Sequence, residues 1–93
     1  MSAYEVAKFC RNCLRDPELR ALAQSDPVAG LDRFDLTDQE RAHLLAGEVG
    51  RLYEAGCSSF LLSYLPRWNL FGLDVSTYAA RMRSARRIEL GAG

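Results

Sequence analysis

LTDQERAHLLAG, residues 36–47, decides the class of fold. Thr37 and Glu40 stand in the T-x-x-E order of a capping box, in which the threonine hydroxyl accepts the backbone N–H three residues on and the glutamate carboxylate accepts the N–H of the cap. Leu44 and Leu45 follow at helical spacing. Gly47 supplies a stop, because glycine takes up the left-handed conformation with which many helices end. Leu36 and Arg41 occupy the positions that would make a hydrophobic staple, and Arg41 is not apolar. The stretch therefore predicts a short, capped helix, and similar punctuation recurs on both sides of it.

Towards the N-terminus, Ser2 and Glu5 form another capping box. It opens a helix with an apolar stripe of Tyr4, Val6, Phe9, Cys10, Cys13 and Leu14. That helix should stop near Arg15, since the residue before Pro17 disfavours the α region. Asp16-Pro17 starts a second helix with Leu19, Leu22 and Ala23 inside, and Asp26-Pro27 a third with Val28, Leu31 and Phe34 inside. Towards the C-terminus, Val49, Leu52 and Tyr53 mark a fifth helix that ends at Gly56. Ser58 or Ser59 caps a sixth. Asp74 or Ser76 caps a seventh, with Tyr78, Ala79 and Met82 inside and Arg81, Arg83, Arg86 and Arg87 at its end. No alternating strand pattern of useful length occurs. The expectation is an all-α protein: one compact domain of about six to seven short helices over residues 1–90, with a frayed tail at 91–93.

Composition narrows the function. Twelve basic and twelve acidic residues cancel, and the pI is about 6.6. Nucleic-acid binding asks for a net basic footprint, so the helix-turn-helix look of residues 36–56 carries little weight. No apolar run is long enough to cross a membrane. The start, MSAYEVAKFCRN, lacks the apolar core of a signal peptide. Three cysteines, an odd number, argue against a disulfide scaffold. A reduced, cytoplasmic protein is expected.

The side chains exclude much chemistry. His43 is the only histidine, whereas a non-haem iron site of the two-His-one-carboxylate kind needs two. No P-loop, G-x-G-x-x-G, G-x-S-x-G or H-E-x-x-H is present. Cys10 and Cys13 form a C-x-x-C that Cys57 and His43 could complete to four zinc ligands. Both cysteines, however, sit inside a helical pattern on an apolar face, where thiols behave as small hydrophobes. His43, on a capped helix beside Glu40, reads as a solvent-facing residue. No cofactor is expected in this chain.

FLLSYLPRWNLFGL, residues 60–73, is the oiliest stretch. Phe60, Tyr64, Trp68 and Phe71 recur at i, i+4, i+8 and i+11, one helical face if the helix survives Pro66, which should kink it. Phe60, Leu61, Leu62, Leu65, Leu70, Phe71 and Leu73 are expected to hold the core. Tyr64, Arg67 and Trp68, with Phe60 on the same stripe, are the candidates for contact with a partner or a substrate pocket, since aromatics and Arg populate interface centres. Trp68→Ala and Tyr64→Ala are expected to weaken such contact and spare the fold.

The run Leu36-Thr37-Asp38-Gln39-Glu40-Arg41, Leu44-Leu45-Ala46-Gly47-Glu48, Leu52-Tyr53-Glu54-Ala55-Gly56-Cys57, Phe60-Leu61-Leu62, Leu70-Phe71-Gly72-Leu73 and Tyr78-Ala79-Ala80-Arg81-Met82-Arg83 resembles the small-subunit family of protocatechuate 4,5-dioxygenase, the LigA-like proteins. The likeness covers roughly residues 28–83 and consists of caps, glycines and hydrophobics. It implies an all-helical, non-catalytic chain that packs on a large extradiol dioxygenase subunit. In that arrangement the large subunit holds Fe(II) and opens the ring of a catechol-like substrate with O2, and the small one covers its active-site mouth. This sequence is shorter than the well-known small subunits and carries Pro66-Arg67-Trp68 where a less bulky run is expected. The substrate stays open. So do self-association and the alternative of a freestanding helical binding or regulatory module with no dioxygenase partner.

Overall fold

A computed structural model describes residues 2–85. Within it run α1 (Ser2–Arg15), α2 (Pro17–Ser25), α3 (Pro27–Leu31), α4 (Asp38–Leu45), α5 (Val49–Glu54), α6 (Ser59–Leu62), α7 (Tyr64–Arg67), a 3₁₀ turn (Leu70–Gly72) and α8 (Val75–Arg83). The protein is all-α, and the described residues hold no strand. The expected tail and the arginines at 86 and 87 lie outside the described residues, as does the Ser2 side chain of the first capping box. The Glu5 carboxylate instead accepts the N–H of Asp35 at 3.1 Å, across the molecule.

The caps act where the sequence sets them. Asp16 Oδ1 accepts the N–H groups of Glu18 at 3.0 Å and Leu19 at 3.3 Å. Asp26 does the same for Ala29 at 3.2 Å. Thr37 and Glu40 close both halves of their box, Glu40 N–H to Thr37 Oγ1 at 3.1 Å and Thr37 N–H to Glu40 Oε1 at 2.8 Å. Asp74 Oδ1 takes the N–H of Thr77 at 2.7 Å, and that bond holds its carboxyl below the usual carboxylate range. Each cap satisfies donors that a helix start would otherwise leave without partners.

The core runs through the chain from Val6, Phe9, Cys10 and Cys13 of α1 to Leu70 and Leu73, by way of Leu31, Leu44, Leu52, Leu62 and Leu65. Phe9 is at its centre. Its ring meets Phe34 edge-on at 5.4 Å and Phe71 at 5.8 Å. Four residues expected on buried stripes or in the core are instead exposed, Tyr4, Leu14, Val28 and Phe60, and Leu45 is exposed as well. Helical spacing marks a stripe, and the edges of a stripe lie beyond the reach of the neighbouring elements. The last helix, α8, has no fully buried residue. It lies over the core through Tyr78 and Met82, which are half-buried.

Two close approaches seat α8. Gly47 ends α4 with φ +68°, and a Cβ there would stand 2.8 Å from the Phe71 carbonyl oxygen and 2.9 Å from Arg81 Nη1. At Gly50 in α5 a Cβ would stand 2.7 Å from the backbone oxygen of Arg81. The same Arg81 Nη1 donates to the carbonyls of Ala46 at 3.0 Å and Gly47 at 2.6 Å. A cation thus closes the C-terminal, negative end of α4.

The expected kinked sixth helix is two short helices. Pro66 has no N–H to offer the Leu62 carbonyl, and its ring crowds that position, so the helix breaks one turn earlier, at Ser63. After Arg67 the chain reverses through left-handed Asn69 (φ 53°), Phe71 (φ 56°) and Gly72 (φ +74°). Asn69 Nδ2 ties the turn by donating to the Leu73 carbonyl at 3.1 Å. This reversal takes Phe71 off the aromatic stripe and turns it onto Phe9 in the core.

Candidate functional site

The other three aromatics stay together despite the break. Phe60 and Tyr64 meet edge-on with ring centroids 5.3 Å apart, and Tyr64 and Trp68 lie 5.9 Å apart at a tilt of 34°. The spacing of four residues survives because α6 and α7 are joined by Ser63 alone. Ser63 keeps the helical direction: its N–H bonds the Ser59 carbonyl at 3.0 Å, and its hydroxyl donates to the Phe60 carbonyl at 2.5 Å.

The three rings differ in exposure. Phe60 is 67% exposed, the most open aromatic among the described residues. Tyr64 is only 8% exposed. It is the floor of the face, packed between its two neighbours, rather than a projecting contact. Trp68 is half-buried, and Arg67 is exposed. Truncating Tyr64 would therefore open a cavity, so the expectation that Tyr64→Ala spares the fold is revised.

Two guanidiniums lie on the rings. The Arg67 guanidinium carbon is 5.4 Å from the Tyr64 ring centre, and that of Arg20 is 4.8 Å from the Trp68 ring centre. Both are within cation–π range. Gln24 adds a bond from α2, Nε2 to the Trp68 carbonyl at 3.0 Å. Arg20 and Gln24 carry no local signal in the sequence. They reach Trp68 only because α2 packs against the reversal after α7, more than forty residues along the chain.

The thiols assemble no site. Cys10, Cys13 and Cys57 are buried and none is in a disulfide. Burial raises the Cys10 thiol far above its ordinary range, with Cys13 and Cys57 adding to the rise. Burial likewise pushes Cys13 up to about 12, with Arg20 acting to lower it and Asp16 to raise it. Both shifts favour the protonated thiol at neutral pH, the less nucleophilic form. His43 is half-buried rather than solvent-facing, and its Nδ1 pairs with Glu48 Oε1 at 2.8 Å. Among the described residues no group of three or more His, Cys, Asp or Glu side chains could hold a metal ion. No helix among them is long and apolar enough to cross a membrane.

A second concavity, about 560 Å³, lies between α5 and α8, lined by Glu48, Gly50, Arg51, Arg81 and Ala85 among others. Its charged groups are engaged with one another or with backbone. Arg51 faces Glu54 at 3.4 Å, Glu48 holds His43, and Arg81 caps α4. The aromatic face is the stronger candidate.

The chain matches the model of a family described as aromatic-ring-opening dioxygenase LigAB, LigA subunit, over residues 6–89. The chain belongs to the LigA-subunit family. The match takes in nearly the whole chain, including the aromatic face and the α4–α5–α8 junction. The resemblance carried by the caps and glycines is thus a family membership. A LigA chain is by description one subunit of a two-part dioxygenase, and a family of that kind has a partner subunit in general. No curated protein and no solved structure matches the chain significantly.

Proposed function

We propose that this LigA-family chain is a non-catalytic small subunit that packs on and caps a partner enzyme, an Fe(II) extradiol aromatic-ring-opening dioxygenase, in the cytoplasm. The contact is the face of Phe60, Tyr64 and Trp68 with Arg67 at its rim. The single observation that carries this reading is the exposure of Phe60 at the end of a stacked aromatic ladder. An exposed phenyl ring set edge-on beside Tyr64, with Trp68 next in line, is the kind of aromatic group that can anchor in a partner's pocket.

The donor set supports a division of labour. One histidine cannot build a two-His-one-carboxylate iron site, and the residues here do not fit that metal. The iron and the ring-opening chemistry belong to the partner. What this chain supplies is cover: apolar surface that excludes water from a mouth where charged intermediates gain from low dielectric.

Co-expression with an extradiol dioxygenase catalytic subunit tests the proposal. The two should co-purify as a stable complex, and ring opening should require the catalytic subunit. Ring opening by the purified chain with added Fe(II) would contradict the non-catalytic role. A chain that stays apart from that subunit would be the freestanding module instead.

A further inference from the structure

The aromatic face is also a cationic one. None of the ion pairs among the described residues involves Arg20 or Arg67; those seen join Arg41 to Asp32, His43 to Glu48 and Arg51 to Glu54. Both guanidiniums lie over ring faces. A ring orients a guanidinium and removes some of its water, but it leaves the charge and the N–H fork unsatisfied. We propose that this face docks on an acidic patch of the partner protein, whose carboxylates meet Arg20 and Arg67 while an apolar pocket receives Phe60. The proposal rests on the small-subunit reading for the partner's identity, and on the two arginines for its charge.

Charge decides among possible occupants. A second copy of this chain, paired about a two-fold axis through the face, would bring its own Arg20 and Arg67 up to the same two arginines. Like charges so placed repel, which disfavours a self-dimer here. A nucleic acid would stack on Trp68 and Phe60, but a chain of zero net charge lacks the basic footprint that phosphate binding requires. A protein surface bearing two or more carboxylates satisfies both forks and pre-oriented rings together. An Arg already stacked on an aromatic loses little freedom when it meets a carboxylate.

The test uses the full chain and the purified catalytic subunit. Arg20→Glu and Arg67→Glu should each weaken the complex at least about tenfold, and added salt should weaken the wild type but scarcely change the double reversal. Arg67→Lys should keep most of the salt dependence. Circular dichroism matching the wild type checks that each variant is folded. If Phe60→Ala weakens the complex and neither reversal does, the small-subunit reading stands and the acidic patch falls. If a complex forms that none of these changes affects, this face is not the interface and the proposal falls with it.

If no complex forms, Trp68 still reads the charge preference, because it is the only tryptophan. A glutamate-rich peptide with aromatic residues should shift its emission, and the glutamine twin should not. That result keeps the acidic docking while the dioxygenase reading fails. Equal shifts from both peptides, no shift from either, or an equal shift from a single-stranded oligonucleotide would overturn it.

Discussion

Gly47→Ala should lower the stability of the chain by about 2–4 kcal/mol, adding the strain of a left-handed alanine to the cost of an overpacked junction. The two causes are separate. At φ +68° any side chain is strained. The new methyl would also lie 2.8 Å from the Phe71 oxygen and 2.9 Å from the Arg81 guanidinium. Arg81 can swing away, but only by giving up its bonds to the Ala46 and Gly47 carbonyls. The Phe71 oxygen cannot swing, since that residue is itself held left-handed with its ring on Phe9. Two other glycines divide the effect. At Gly72, φ +74°, an added methyl would meet nothing within 4 Å, so Gly72→Ala carries the strain alone, roughly 1 kcal/mol. Gly50 has ordinary helical backbone but a 2.7 Å approach to the Arg81 oxygen, so Gly50→Ala carries the crowding alone, about 1–3 kcal/mol. Urea unfolding of the three variants measures this directly. A Gly47→Ala loss no larger than that of Gly72→Ala would mean that α8 is not seated as described.

Phe60→Ala should weaken the complex with the catalytic subunit by about 2 kcal/mol, some thirtyfold, and leave the unfolding free energy within about 0.5 kcal/mol of wild type. The pairing of a large binding effect with a small stability effect follows from position. Phe60 is 67% exposed and touches the molecule through Tyr64, so its removal empties no core space. Trp68 is a less clean probe, since it is half-buried and packs against the core. Tyr64 is worse, because its ring is buried and supports both neighbours. A binding titration beside a urea melt of the same variant separates the outcomes. Weaker binding with unchanged stability marks an anchor. Unchanged binding marks a ring exposed for some other reason.

The helices are legible because their ends are written in side chains. Thr37 with Glu40, and Asp16, Asp26 and Asp74, cap helices by bonds to backbone only two or three residues away, which is information a sequence carries locally. The all-α class follows from these caps and from the absence of any alternating run. The interior is less legible. Val28 and Leu45 stand at proper helical spacing yet face water, because exposure depends on which neighbour arrives, not on the stripe. The path after Pro66 is hidden for the same reason. A proline announces a break but does not say that the chain will then pass through left-handed Asn69 and Phe71 and send Phe71 inwards.

The aromatic face is half legible. Phe60, Tyr64, Arg67 and Trp68 lie close together in sequence, and their spacing places them on one side. Their relative depth is not readable: Tyr64 is the floor and Phe60 the projection. The second guanidinium is beyond reach, since Arg20 is one of eleven arginines and joins Trp68 only through the packing of α2. The family match spans residues 6–89 and so takes in both the aromatic face and the α4–α5–α8 junction.

The proposed seat of the partner is the face built by α6, α7 and Trp68. Amide hydrogen exchange of the chain, alone and in complex with the catalytic subunit, tests it most directly. Protection should rise over residues 58–68 and over the stretch of α2 that carries Arg20 and Gln24. A complex in which those amides exchange as they do in the free chain, while the α5–α8 groove becomes protected, would place the interface elsewhere and contradict the claim.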